Sequence, residues 1–218
     1  HEAFAIANNG RPGPVLIDIP KDVQFAKGRY LEPNKITIPK HRLFEPKVKG
    51  NEGQIYEASK LIANAKKPIF YIGGGCINSG LKASNLVREF VKETGAPATM
   101  TLMGLGVLPS SNKYSLGMLG MHGMYEANLA MHDCDVMINI GARFDDRVTG
   151  RLDAFSPNSK KIHIDIDASS INKNIKVDIP IIGDVESIMN QFQDVWKKNK
   201  FSTNKDALEA WWKKIEEW

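Results

Sequence analysis

The stretch from Pro68 to Val91 reads PIFYIGGGCINSGLKASNLVREFV and contains the clearest structural pattern of the chain. Residues 69–72 form a continuous apolar run, three glycines follow it, and residues 80–94 place apolar side chains at helical spacing. A short apolar run bounded by turn residues is typical of a strand that is buried on both faces, as in a parallel sheet. The stretch therefore predicts a strand, a tight glycine turn and a helix.

The same alternation of strand and helix continues along the chain. We predict further strands over residues 98–101, 135–140, 161–166 and 179–182, and further helices over residues 52–65, 125–131, 185–199 and 205–217. The glycine-rich stretch over residues 102–124 is predicted to be a long loop. Strands that alternate with helices form βαβ units, whose right-handed crossovers place helices on both faces of a parallel sheet. The pattern thus predicts the α/β class, with a Rossmann-like parallel sheet flanked by helices on both faces.

The first fifty residues follow a different pattern. Residues 2–9 have the spacing of a helix, and residues 15–19 are an apolar run between prolines that predicts another buried strand. Residues 25–50 are polar and contain several prolines, which favours a linker. Because an unpaired apolar strand invites association, we expect residues 15–19 to be disordered, to dock on the rest of the chain or to pair with another copy.

Composition excludes several classes of protein. The 218 residues are 42% apolar and 25% charged, which is ordinary for a globular protein and not for a disordered one. No segment approaches the ~20 apolar residues that span a bilayer, so no membrane partner is expected. The net charge of +4 is spread along the chain without the dense basic patch of a nucleic-acid-binding protein. The two widely spaced cysteines suit free thiols in a reducing compartment.

Three glycines follow the first predicted strand, at the kind of position where open α/β sheets bind ligands. Gly73, Gly74 and Gly75 would let a ligand approach the backbone, and the start of the next helix favours anions such as a pyrophosphate. The dinucleotide fingerprint, however, has glycine at its sixth position, where this chain has Asn78. Nucleotide binding and a plain strand-to-helix turn both remain open for this motif.

The run Gly141–Gly150, GARFDDRVTG, follows the predicted strand over residues 135–140 and concentrates two arginines and two aspartates between glycines. Arginine offers planar N–H donors that match phosphate or a ring edge, and aspartate accepts from ribose hydroxyls. The alternative is a local cluster of salt bridges, which would contribute little to stability.

Other residues at the strand ends allow two interpretations each. His122 is either a general base or, as is more common for a lone histidine, a packing or hydrogen-bonding group. Asp165 and Asp184 suit ligand hydroxyl or N–H groups, but Asp184 could equally cap the helix over residues 185–199. The methionines of the glycine-rich loop are suited to line a flat ring system.

Several of these segments together resemble one enzyme family. The segments Gly10–Val15 (GRPGPV) and Asp18–Val23 (DIPKDV), the run Gly117–Gly123 and the run GARFDDRVTG are similar to the catalytic subunit of the acetohydroxyacid (acetolactate) synthases, which use thiamine diphosphate. The resemblance covers nearly all of the chain and is most specific at GARFDDRVTG. It implies four segments: the end of a pyrimidine-binding domain (1–24), a linker (25–50), a central FAD-binding domain with about six parallel strands (51–200), and the start of a linker to a C-terminal domain (201–218).

The resemblance implies that the central domain binds FAD in an extended pose and that this FAD is largely structural. Relatives often carry glutamine where this chain has Met103, so one side-chain hydrogen bond to FAD is not expected here. The resemblance places no catalytic residue and no metal ligand within the chain. Matched position by position, the residues that would contact FAD are Arg11, Gly73, Gly74, Gly75, Asn78, Thr101, Leu102, Met103, Leu119, Gly120, Met121, His122, Gly141, Arg143, Asp145, Arg147, Val148, Asp165, Ile166, Asp184 and Val185.

The complete enzyme of this family condenses two 2-oxoacids on thiamine diphosphate, in branched-chain amino-acid biosynthesis, in the bacterial cytoplasm or in plastids. The resemblance implies that thiamine diphosphate and Mg²⁺ bind to flanking domains of the same polypeptide, so we expect the chain alone to be inactive. It also implies a homodimer or homotetramer and a small regulatory subunit. The alternatives are a sister thiamine-diphosphate enzyme (glyoxylate carboligase, pyruvate oxidase or oxalyl-CoA decarboxylase), a stand-alone NAD-binding module, or a non-catalytic interaction domain.

Overall fold

The computed structural model describes residues 1–32 and 46–218, which divide between two compact units. The first unit is His1–Pro46 and the second is Lys47–Trp218. Part of the predicted linker, residues 33–45, lies outside the described residues. The boundaries of the four segments predicted from the sequence stay a prediction.

Residues 1–32 of the first unit contain two short helices, α1 (Glu2–Asn8) and α2 (Lys21–Phe25). The helix predicted over residues 2–9 is confirmed, but the strand predicted over residues 15–19 is wrong, because residues 12–20 form no regular element. A strand needs a neighbour to complete its ladder of hydrogen bonds, and residues 1–32 contain no strand. The side chain of Leu16 is 92% exposed.

The second unit is built on a six-stranded sheet in which every neighbouring pair is parallel. The strands are β1 (Pro68–Ile72), β2 (Ala98–Met100), β3 (Ser115–Met118), β4 (Val136–Ile140), β5 (Lys160–Asp165) and β6 (Ile179–Ile182). Their order is β3-β2-β1-β4-β5-β6, so the chain winds outwards from β1 and then returns to lie on its other side at β4. This confirms the predicted Rossmann-like sheet and puts its topological switch point between the carboxyl ends of β1 and β4.

Helices cover both faces of the sheet, as predicted. The remaining helices are α3 (Glu52–Asn64), α4 (Gly74–Asn78), α5 (Leu81–Thr94), α6 (Tyr125–Asp133), α7 (Asp146–Thr149), α8 (Val185–Lys198) and α9 (Lys205–Glu216). Side chains alternate between the two faces along β1: Phe70 packs in a core with α3, α5 and α8, and Tyr71 packs in a second core with α6 and α9. None of the helices in the described ranges combines the length and the apolarity needed to cross a bilayer.

The sequence pattern does not predict the edge strand β3, because the residues around it have the composition of a loop. It is only four residues long, and its Gly117 has a φ of +74°, in the left-handed region that favours glycine. Its pairing with β2 also contains a register shift. Such a strand has no apolar run and no clear alternation for a sequence pattern to detect.

The last helix, α9, is part of the second unit. Trp211 is 2% exposed, and its indole Nε1 donates to the carbonyl of Pro68 at 3.1 Å. Trp212 donates from its Nε1 to the carbonyl of Gly95 at 2.8 Å. If residues 201–218 only began a linker, the C-terminal tryptophans would be left to contact another domain. For Trp211 this is wrong, because its side chain is already buried in the second core of this unit.

Candidate functional site

The glycine turn after β1 and the arginine–aspartate loop after β4 meet at the switch point. The backbone N–H of Gly75 donates to the carbonyl of Gly141 at 3.0 Å. A Cβ atom on Gly73 would overlap the carbonyl oxygen of Gly141 and lie 2.6 Å from the Cβ of Ala142. The two turns therefore form one surface, and glycine is required because their backbones are in contact.

The turn after β2 closes a second side of this surface. Thr101 donates its backbone N–H to the carbonyl of Ile72 at 2.9 Å, and a Cβ on Gly104 would lie 2.5 Å from the same oxygen. The side chains of Leu102 and Met103 are 69% and 73% exposed. Apolar side chains so exposed beside a glycine cradle are suited to contact a flat ring.

The loop after β3 packs against the arginine–aspartate loop. The N–H of Met121 donates to the carbonyl of Arg147 at 2.9 Å, and a Cβ on Gly120 would lie 2.6 Å from that oxygen. The side chain of Asn128, on α6, both accepts from the N–H and donates to the carbonyl of Gly120. The exposed side chains of Met121 and His122 stand at this edge.

The arginine–aspartate loop combines both interpretations of its sequence. Arg143 and Asp145 form an ion pair, as the salt-bridge interpretation predicts. Asp145 also caps α7 by accepting from the N–H of Arg147, and a side-chain hydrogen bond with Asp146, followed by the bond from this N–H, holds the pKa of the Asp145 carboxyl below its usual value. A guanidinium has five N–H donors, so pairing with one carboxylate leaves donors for a ligand.

A buried layer beneath this loop fixes its position. The side chain of Asn139 donates to the carbonyl of Ala142 at 2.7 Å and accepts from its N–H at 3.0 Å. Phe144 is 1% exposed with a φ of +54°, and its ring lies 5.6 Å from that of Tyr71 and 5.1 Å from that of His163. With Phe144 buried, the charged residues on either side of it lie at the surface. The sequence pattern does not predict this layer, although asparagine and histidine inside otherwise apolar strands are a visible signal.

The candidates after β5 and β6 are tied to the same edge. Asp165 is 8% exposed and accepts at Oδ1 from the N–H of Asp167, and its carbonyl accepts from the N–H of Gly183. Asp184 caps α8 through the N–H of Ser187, which confirms the capping interpretation. Its other oxygen accepts from the hydroxyl of Ser79, at the end of α4, at 2.7 Å.

The remaining candidates differ in how they could contact a ligand. Asn78 is exposed, Ile166 and Val148 are partly exposed, and the side chains of Leu119 and Val185 are buried. A ligand could therefore contact Leu119 and Val185 only through the backbone. Arg11 is part of the first unit, whereas all the other candidates are in the second.

Residues 55–192 match the profile of the family described as "Thiamine pyrophosphate enzyme, central domain". The chain belongs to this family. Its relatives include the acetolactate synthase large subunits of Haemophilus influenzae (45% identical) and of Buchnera aphidicola subsp. Schizaphis graminum (44%), and the isozyme 3 large subunit of Escherichia coli K12 (40%). Each similarity covers 100% of this chain and 37% of the relative's length.

These similarities confirm the resemblance inferred from the GARFDDRVTG run. They favour a central domain of a thiamine pyrophosphate enzyme over a stand-alone NAD-binding module. The chain spans little more than a third of the length of these family members.

Proposed function

We propose that this chain is the central domain of an acetolactate synthase large subunit and that it binds FAD at the carboxyl edge of the sheet. The observation that carries the proposal is the contact between the turns after β1 and β4, made through Gly75 and Gly141. The loops after β2 and β3 border the same surface. A ligand at this edge would touch residues from four strand ends at once.

The chemistry of these residues suits a flavin nucleotide. Glycine at positions 73, 75 and 104 lets the turns after β1, β2 and β4 pack backbone to backbone, since a Cβ at each would overlap neighbouring backbone. Arg143 and Arg147 supply donors for phosphate oxygens. Asp165 supplies an acceptor for ribose hydroxyls, and the exposed apolar side chains after β2 and β3 suit the flat ring system.

FAD in this position would act as a structural group, without net redox work, as the resemblance implies. In the complete protein, thiamine diphosphate would supply the carbanion that joins two 2-oxoacids, and Mg²⁺ would anchor its diphosphate. Their sites would belong to flanking domains, consistent with relatives that are much longer than this chain. Those relatives are named large subunits, which supports assembly with a small regulatory subunit and oligomer formation by the complete enzyme.

A segment exchange tests this proposal. We expect a chimera in which this chain replaces the matching part of the Escherichia coli isozyme 3 large subunit to form acetolactate from pyruvate. The reason is that 40% identity preserves the sheet and the loops at its carboxyl edge. The isolated chain should form none. The measurement is acetolactate formation by purified proteins supplied with thiamine diphosphate, Mg²⁺ and FAD.

The same chimera carrying Gly73→Ala should lose activity. The chimera carrying Gly74→Ala is the matched control and should keep its activity. A chimera that unfolds cooperatively like its parent and yet forms no acetolactate contradicts the proposal. So does acetolactate formation by the isolated chain.

A further inference from the structure

His163 is a fully buried histidine whose ring nitrogens have no hydrogen-bond partner among the described residues. It lies in β5, paired in register with Asn139 of β4. Leaving a polar atom buried without a partner costs about 1–3 kcal/mol. An apolar residue would fill this place without that cost, so a role beyond packing is expected for the imidazole.

A carboxylate of the candidate site lies close to this imidazole. The Nε2 atom of His163 lies 3.6 Å from Oδ2 of Asp165, just beyond hydrogen-bonding distance. The two residues alternate by two along β5, so their side chains share one face of the sheet. The other oxygen of Asp165 already accepts from the N–H of Asp167. Oδ2 is thus the oxygen that a small movement would bring to the imidazole.

The same ring supports the arginine–aspartate loop from below. Its centroid lies 5.1 Å from that of Phe144, with the two rings at 77° in an edge-to-face contact. Phe144 stands between Arg143 and Asp145 in the chain. One buried imidazole therefore contacts both the residue that anchors the charged loop and the carboxylate at the end of β5.

We propose that His163 is a positioning residue for Asp165 in nucleotide binding. When a ligand hydroxyl donates to Asp165, the imidazole Nε2–H donates to Oδ2 and fixes the carboxylate in its accepting orientation. A carboxylate that is 8% exposed needs such donors, because a buried charge without them costs free energy. The inference rests on the proposed function, since it assumes that a nucleotide hydroxyl binds at Asp165.

Two variants of similar shape isolate the hydrogen bond. His163→Gln keeps an N–H donor near the position of Nε2, whereas His163→Met has a similar length and no donor. We measure FAD dissociation by quenching of flavin fluorescence, together with thermal unfolding, on the 218-residue chain. His163→Met should bind FAD about 10-fold more weakly than the wild type, and His163→Gln within about 3-fold of it. Neither variant should unfold far below the wild-type temperature, because the bond to Asp165 is not formed without ligand, and His163→Met also removes two buried nitrogens that have no partner among the described residues.

A double-mutant cycle covers the case in which both variants lose stability. Adding His163→Met to Asp165→Asn should weaken FAD binding less than about 2-fold, because the carboxylate that the imidazole positions is already gone. Equal effects of His163→Met in the two backgrounds would overturn the inference. Wild-type affinity in His163→Met would overturn it as well, as would equal losses in the methionine and glutamine variants.

The outcome for the wild-type chain separates this inference from the proposal beneath it. If the wild type binds FAD or ADP and His163→Met binds it equally well, only the role of His163 is overturned. If the wild type binds neither FAD nor ADP, the proposed nucleotide site is overturned, and the role of His163 with it.

Discussion

Replacing Gly73 with alanine is expected to lower the free energy of unfolding by about 3 kcal/mol and to abolish FAD binding. The new Cβ would overlap the carbonyl oxygen of Gly141 and approach the Cβ of Ala142 to 2.6 Å. Neither atom can move away easily, because the carbonyl of Gly141 is hydrogen-bonded to Gly75 and the backbone of Ala142 is hydrogen-bonded to the side chain of Asn139. The two turns would have to separate, and the surface that they share would be lost. Urea unfolding and flavin fluorescence measure the two effects.

The neighbouring glycine provides a matched control. A Cβ on Gly74 would meet the Cβ of Met103 at 3.0 Å, so a shift of a few tenths of an ångström would relieve the contact, far less than the overlap at Gly73 requires. Gly74→Ala should therefore change the free energy of unfolding by less than about 1 kcal/mol. Equal losses in Gly73→Ala and Gly74→Ala would mean that the contact between the turns does not determine the stability of this region.

Replacing Trp211 with alanine is expected to lower the free energy of unfolding by about 3–5 kcal/mol. The indole is almost fully buried in the second core, donates to the carbonyl of Pro68 and packs edge-on against Trp218. Its removal would leave a cavity under α9 and an unpaired carbonyl at the start of β1. Urea unfolding monitored by circular dichroism measures the loss.

Trp211→Phe separates the ring from the hydrogen bond. Phenylalanine keeps most of the apolar contact and loses only the bond to Pro68, so a loss of about 1–2 kcal/mol is expected. If the free energy of unfolding of Trp211→Ala lies within about 1 kcal/mol of the wild-type value, α9 does not contribute to the core and is an independent segment.

The core strands were predictable because each carries its own signal. The strands β1, β4 and β5 are buried along nearly their whole length; β1 and β4 appear in the sequence as apolar runs, and β5 appears as isoleucines that alternate with polar residues. The strand β3 and the short helices α2, α4 and α7 have no such signal, because contacts distant in sequence decide whether they form. The run over residues 15–19 has the signal of a strand but no neighbouring strand within residues 1–32. An apolar run thus indicates that a segment can form a buried strand, and the presence of a neighbouring strand decides whether it does.

The surface of the candidate site could be predicted better than its support. Glycines, arginines and aspartates at strand ends are recognisable by residue type, and the structure brings the loops after β1 to β6 to one edge. The supporting residues Asn128, Asn139 and His163 act through loop residues that lie 8, 3 and 19 positions away, respectively. Their roles follow from the sheet order, which no single stretch of sequence contains.

Hydrogen exchange of the chain with and without FAD measures whether the loops after β1, β2, β3 and β4 form a single flavin-nucleotide site. FAD should slow amide exchange together in residues 73–78, 101–105, 118–123 and 141–148, and NAD at the same concentration should not. Protection by FAD only at the amino ends of the strands, or in one of these loops alone, would contradict the claim.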